Sequence, residues 1–165
     1  MSIKLQVAKM GDAAGIAALQ TAAAAHLTAR FGEGPWSRPT SDKAVLFQMR
    51  NATVYVARDE DEPKATLTLA TKKPWAIDRK YFTPCKRPLY LTGMAVAPDD
   101  QRKGIGRSCI EEALRITKAW PADAIWLDAY DATAGAGEFY RKCGFREVGR
   151  AAYKDVPLIY FEMAC

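Results

Sequence analysis

A single histidine, His26, stands in the 165 residues, which argues against a serine–histidine nucleophile or a multi-histidine metal site before any spacing is considered. It lies in an alanine-rich stretch and reads as helix surface. The four cysteines, Cys85, Cys109, Cys143 and Cys165, are scattered, with no Cys-x-x-Cys pairing that would point to zinc or redox exchange. We expect them to be reduced, with Cys109 and Cys143 on apolar helix faces as small hydrophobes. No apolar run approaches the roughly 20 residues needed to cross a bilayer, and the N-terminus has no cleavable signal pattern. No repeat or low-complexity linker divides the sequence. The expectation is one domain, residues 1–165, in the cytoplasm, with no membrane partner. With 49% hydrophobic and 26% charged residues, the composition is that of a globular chain, and this length buries about two thirds of the unfolded surface.

Charge of one sign is in excess. The net +5 is concentrated in residues 72–87 and 102–107, so an anionic partner is expected, either a nucleic acid or a phosphorylated small molecule. Neither cluster shows the aromatic interleaving of a single-strand platform or a recognition helix. Nucleic acid is therefore the distant alternative.

Periodicity gives the element order. Ile3, Leu5 and Val7 alternate with polar residues, a strand ending near Met10 and Gly11. Asp12 then caps a helix with Ile16, Leu19, Ala23 and Leu27 on one side. Residues 31–39, rich in glycine, proline and aromatics, break it, and a short helix follows over 41–50. Residues 53–58 and 64–71 read as strands joined by the acidic turn Asp59-Glu60-Asp61-Glu62-Pro63. An irregular stretch runs over 72–88, a length that in a compact domain is functional or mobile. A strand over 89–97 leads to a helix over 104–120, which carries Gly106, Cys109, Ile110, Ala113 and Thr117 on one face and a Glu111–Arg115 pair on the other, and Pro121 stops it. After a strand at 124–130, Thr133 can cap a helix in which Ala136, Phe139, Tyr140 and Cys143 share a face and Gly144 ends. Strands at 145–152 and 158–163 complete an α/β layered order around a mixed sheet.

The chemistry is concentrated in Gln101-Arg102-Lys103-Gly104-Ile105-Gly106-Arg107, a basic glycine turn between the 89–97 strand and a helix. The first amides of a helix have no intrahelical acceptors and carry about half a positive charge, so a phosphate placed there gains several hydrogen bonds at once. Gly104 and Gly106 allow close approach, while Arg102, Lys103 and Arg107 add full charge. It is not a nucleotide-hydrolysing phosphate loop, because Arg107 and Ser108 follow Gly106 where Lys-Ser/Thr is required. A dinucleotide fingerprint would need a third glycine or alanine at position 109, which is Cys109. For the turn alone, a basic helix cap is the competing reading.

Met94-Ala95-Val96-Ala97-Pro98, the 101–106 turn and Glu138-Phe139-Tyr140-Arg141-Lys142-Cys143-Gly144-Phe145, in that order, together resemble the GCN5-related N-acetyltransferase (GNAT) superfamily. The resemblance covers about residues 89–145 with specific motifs. It implies an α/β fold with a mixed, mostly antiparallel sheet of about seven strands flanked by about four helices, and an acetyl-CoA-dependent N-acetyltransferase that transfers directly to a primary amine, without an acyl-enzyme or a metal. It places the pyrophosphate on the amides of Arg102, Lys103, Gly104, Ile105, Gly106 and Arg107, with Gln101 opening the turn. Met94, Ala95 and Val96 would offer backbone groups to pantetheine as though it were an added strand. Tyr140 matches the tyrosine that protonates the departing thiolate, with a packed aromatic as the competing reading, and Phe139 reads as structural. Thr133 stands where many relatives have asparagine, and its hydroxyl lacks an amide's two donors, which puts that cofactor contact in doubt. In the family the strands at 89–97 and 124–130 splay apart around the cofactor arm. A homodimer is a family-level expectation.

The acceptor must attack as a free amine, and no base is singled out: Asp128 and Asp131 lie on or beside the 124–130 strand, Tyr90 and Thr92 on the 89–97 strand could position a water, structural readings stand beside all four, and members of the family often use ordered water. The basic 72–87 loop and the aromatic 31–36 segment could wall the acceptor, the loop hinting at a carboxylate or phosphate on it. A small-molecule amine is favoured over a protein N-terminus or lysine, because the loops look long enough to close a pocket. A non-catalytic CoA-binding regulatory module is the rival class.

Overall fold

β-branched, leucine and aromatic residues recur in seven stretches, and each becomes a strand. The computed structural model describes residues 3–165. In chain order it contains β1 (Gln6–Val7), α1 (Ala13–Phe31), α2 (Asp42–Asn51), β2 (Thr53–Asp59), β3 (Glu62–Ala70), β4 (Pro88–Val96), α3 (Ile105–Ala119), β5 (Ala124–Tyr130), α4 (Gly137–Lys142), β6 (Arg146–Tyr153) and β7 (Val156–Ala164). Three 3-10 turns, Met10–Asp12, Arg79–Tyr81 and Pro98–Asp100, lie between them. The sheet order is β1-β2-β3-β4-β5-β7-β6. The β1–β2, β2–β3, β5–β7 and β6–β7 ladders are antiparallel and β4–β5 is parallel. This is the mixed, mostly antiparallel sheet with four helices that the family resemblance implies. The chain divides into two compact units, one made of residues up to Ala70 with Thr92–Ala113, the other of Thr71–Leu91 with Leu114–Cys165.

In the first unit, residues 54–57 of β2 and 65–69 of β3 are buried without alternation, as strands covered on both faces are. α1 and α2 supply part of the cover: Ala13, Ile16 and Ala17 pack with Val45, Val54 and Val56. α1 comes close enough to the sheet that a Cβ on Gly15 would sit 3.2 Å from the Pro63 ring. Ser41 caps α2 by accepting from Ala44 N at 3.1 Å, a contact worth about 1 kcal/mol.

Three local expectations change here. β1 is two residues long and exposed, pairing only Gln6 with Val56 and Val7 with Tyr55, so alternation at a sheet edge overstated it. Asp12 precedes α1 but makes no cap bond; its carboxylate accepts from Lys9 N at 2.7 Å and pairs with Arg58. The acidic turn is shorter than the five residues expected. β2 and β3 run on to Asp59 and from Glu62, with Glu60 at φ 54°. Pro63 fits inside β3 because the register shifts between Ala57 and Arg58, a bulge that spares the missing N–H.

In the second unit, β5 pairs with β7 along its whole length, while the parallel ladder to β4 holds three pairs, Pro88 to Tyr90 against Ala124 to Trp126. One face of β5 and β7 carries Trp126, Asp128 and Tyr160. Phe82 stacks on Trp126 at 4.4 Å and Tyr90 meets the indole edge-on at 5.8 Å. The segment over 71–87 folds onto this face: Thr83 N donates to Glu162 at 2.8 Å, the Tyr160 hydroxyl donates to Ala76 O, and Ile77 and Phe82 are buried. The opposite face, with Leu127, Ile159 and Phe161, receives α4, whose Tyr140 ring lies 6.1 Å from Phe161.

The helix expected to begin at Thr133 begins instead after Ala136 and is six residues long. The cause is Gly135. A Cβ there would fall 1.8 Å from the Tyr130 carbonyl oxygen, so residues 131–136 form a tight turn and Thr133 caps nothing. Gly144, at φ 98°, ends the element as expected.

Candidate active site

β4 ends in Met94, Ala95 and Val96, which are half-buried, and the Pro98–Asp100 turn redirects the chain into the basic loop. Gln101 folds back, its Nε2 donating to Val96 O at 3.1 Å, so the strand end and the glycine turn are tied together. Ala97 N donates to Lys64 O at 2.9 Å, anchoring the same corner on β3. Arg102 and Gly104 both take left-handed backbone, φ 63° and 83°. At Gly104 the space around a Cβ is open, so glycine is needed for its conformation rather than for room. The first helical bond of α3 runs from Ser108 N to Gly104 O at 3.1 Å, which places the amides of Ile105, Gly106 and Arg107 ahead of the helix's own ladder.

The charges around the turn are partly matched. Asp100 accepts from Lys64 at 3.2 Å and from Lys103 at 3.5 Å, and the Lys64 bond, above all, holds its carboxyl below the ordinary aspartate value. Arg107 reaches Glu111 at 3.6 Å. Arg102, Lys103 and Arg107 all stand exposed. An exposed turn with three cations at a helix start has the chemistry to receive a diphosphate. Lys64 is the residue that sequence reasoning missed here: it opens the expected 64–71 strand, and only the fold brings it to Asp100 beside the turn.

Tyr140 is 6% exposed, packed edge-on against Phe139 at 5.2 Å and Phe145 at 5.5 Å. Burial, then the nearby Asp128 and Cys143, push its phenol well above the ordinary tyrosine value. It therefore stays protonated across the neutral range. Thr133 is exposed in the turn before α4.

The four residues considered for taking the amine's proton or positioning a water separate by environment. Asp131 is engaged by Arg150 at 3.2 Å. The Tyr90 hydroxyl accepts from Arg79 at 3.3 Å and its ring is buried. Asp128 is half-buried, and burial raises its carboxyl above the ordinary value, the shift that moves a carboxylate toward base function. Thr92 lines a cavity between α1, α2 and the strands.

The two suggested acceptor walls are tied into the fold. Trp36 donates from Nε1 to Thr28 at 3.1 Å and lies over Gly34. In the basic loop, Lys73 donates to Ile77 O at 2.7 Å, Arg79 covers the Trp126 ring at 5.2 Å, and Lys80 pairs with Asp78 at 3.4 Å. These three cations have structural partners.

The acetyltransferase (GNAT) family profile matches residues 21–145. In fold the chain is similar to the ribosomal-protein-S18-alanine N-acetyltransferase from Escherichia coli, with TM-score 0.70 and 16% identity, covering 98% of this chain and 93% of that one. It is likewise similar to the PaiA N-acetyltransferase from Thermoplasma acidophilum in complex with coenzyme A, with TM-score 0.71, 16% identity and 97% and 98% coverage. A third, yncA from Salmonella typhimurium with its cofactor acetyl-CoA, gives TM-score 0.69, 14% identity and 99% and 94% coverage. No curated protein sequence matches the chain. The chain belongs to the acetyltransferase (GNAT) family, and so is an N-acetyltransferase with acetyl-CoA as its cosubstrate. Among the described residues no group of His, Cys, Asp and Glu is arranged to hold a metal ion, and no helix is long and apolar enough to cross a membrane.

Proposed function

We propose that this protein, acting as a single acetyltransferase domain of the cytoplasm, moves the acetyl group of acetyl-CoA directly onto the primary amine of a small molecule. The observation that carries this reading is the turn over 101–107, with left-handed backbone at Arg102 and Gly104 and helix amides ahead of the α3 ladder. In it, Arg102 through Arg107 hold the diphosphate, Gln101 braces the turn on Val96, and Met94, Ala95 and Val96 present backbone groups to pantetheine beyond the short β4–β5 ladder. Thr133 is the weakest of the cofactor contacts, since it neither caps α4 nor offers an amide.

Acetyl-CoA supplies the activated acetyl group. A bond forms from the amine nitrogen to the acyl carbon as the carbon–sulfur bond breaks; the ammonium proton passes to a base or water and the sulfur gains one from Tyr140, which is refilled from solvent. Burial keeps the proton on Tyr140 in the resting site, so its hydrogen bond to sulfur strengthens as charge develops there and leads into the transfer. Asp128, the carboxylate shifted by burial, is the side chain best suited among the candidates to accept the amine's proton, directly or through water.

Calorimetric titration with CoA, followed by a CoA-release assay over a panel of primary amines, tests the reading. Binding together with turnover on at least one small amine is the expected result. Binding without any turnover would favour a regulatory module, and absence of binding would remove the transferase reading altogether.

A further inference from the structure

A cavity of about 240 Å³ opens in the first unit beside β4, below the roughly 300 to 1,000 Å³ of pockets that hold drug-sized ligands. Ile16, Val45 and Val54 form its apolar floor, while Gln20, Gln48, Thr68 and Thr92 contribute amides and hydroxyls. Every side chain lining it is uncharged. Its β4 wall is Thr92 and Gly93, the two residues before Met94, so one extended step of about 3.3 Å separates the cavity from the strand assigned to pantetheine. Gly93 takes φ 62°, and the Gln20 Nε2 donates to its carbonyl at 3.2 Å, which fixes one amide of the cavity and leaves that amide's oxygen for a donor. The Gln48 amide has no protein partner among the described residues.

We propose that this cavity seats the non-reacting end of the amine acceptor, and that this end is a small uncharged hydrogen-bonding group, a carboxamide or hydroxyl on a short aliphatic stem. The proposal rests on the acetyltransferase reading above. A carboxylate or second ammonium entering here would lose hydration and meet no counter-charge, whereas a carboxamide exchanges its water contacts for Gln20, Gln48 and threonine groups and lays its stem on Ile16, Val45 and Val54. The balance also explains why the basic 72–87 loop need not select an acidic acceptor: its Lys73 and Arg79 bond to the protein itself.

The test uses the full chain with acetyl-CoA and primary amines of matched length that end in carboxamide, hydroxyl, carboxylate or ammonium, read as kcat/KM by CoA release, with CoA affinity measured separately by calorimetry. Carboxamide or hydroxyl amines are expected to exceed both charged ones at least tenfold. Gln48→Glu, at an exposed position, and Gln20→Glu are expected to cut kcat/KM for the carboxamide amine about tenfold, to narrow its lead over the ammonium amine, and to leave CoA affinity within twofold. A charged amine as the best acceptor, a preference unmoved by both variants, or CoA binding with no small amine accepted would each overturn the proposal. Loss of CoA binding in the unaltered protein would instead take down the transferase reading on which it rests.

Discussion

Burial raises both Tyr140 and Asp128 above their ordinary values, a phenol that thereby keeps its proton and a carboxylate that thereby becomes a better base. Removing the Tyr140 hydroxyl by Tyr140→Phe keeps the ring contacts with Phe139 and Phe145, so CoA affinity is expected to hold within twofold while kcat falls by roughly 10² or more, the range of a lost general acid. Rapid-quench or CoA-release kinetics alongside calorimetry would show it, and an unchanged kcat would return Tyr140 to the role of packed aromatic. The raised phenol adds a pH statement: activity is expected to show no loss from this group up to about pH 10, the ordinary tyrosine value, because the folded value lies above it. Asp128 carries the same sign at lower pH. Its folded value lies above the unfolded one, so its contribution to stability is complete at acid pH and declines as pH rises from about 4 through the folded value. Asp128→Asn removes that penalty and is expected to raise Tm more at pH 7 than at pH 3 in parallel melts, while slowing turnover if the carboxylate takes the amine's proton. A Tm gain equal at both pH values would deny the burial argument.

At the scale of elements, the turn between β4 and α3 depends on conformation. Gly104→Ala must hold a side chain at φ 83°, a strain of about 1 to 2 kcal/mol, and is expected to weaken CoA about tenfold while Tyr140 and the strands stay as they are; circular dichroism melts with calorimetry separate the two effects. Much of this corner was legible beforehand. The glycine turn, α3's buried stripe of Cys109, Ile110, Ala113 and Thr117, and β5 over 124–130 followed from spacing, because an amphipathic helix and a short buried strand write their burial directly into the sequence. What stayed hidden was set by backbone contacts between residues far apart or by turn geometry. The Gly135 turn that delays α4, the bulge that admits Pro63 and the Lys64–Asp100 brace have no periodic signature. Gly93 left a usable trace, since an isolated glycine within an apolar strand points to a bulge or a close approach, and it lines the cavity beside β4.

For the molecule as a whole, the excess of +5 matters through where it stands. Arg102, Lys103 and Arg107 are exposed on the 101–107 turn proposed to hold the diphosphate, so CoA affinity is expected to fall as sodium chloride is raised from low to physiological strength, the direction of screened attraction. Stability should also be bounded in pH from both sides. Bonds from Lys9 to Asp12, Lys64 to Asp100 and Arg150 to Glu147 hold those carboxyls below their ordinary values, so what they contribute is present above about pH 4 and lost as pH falls. Burial raises the phenols of Tyr55, Tyr90, Tyr140 and Tyr160, and their contribution is complete below about pH 10 and lost as pH rises beyond it. A melting profile that stays level above pH 10 would contradict this. The assignment of function depends most directly on where the diphosphate binds, and one calorimetric comparison reaches it: CoA against pantetheine, which lacks the diphosphate and the adenosine 3′-phosphate attached to it, at equal concentrations. CoA should bind at least tenfold more tightly, about 1.4 kcal/mol; equal affinity for the two, or no heat from CoA, would contradict the diphosphate site.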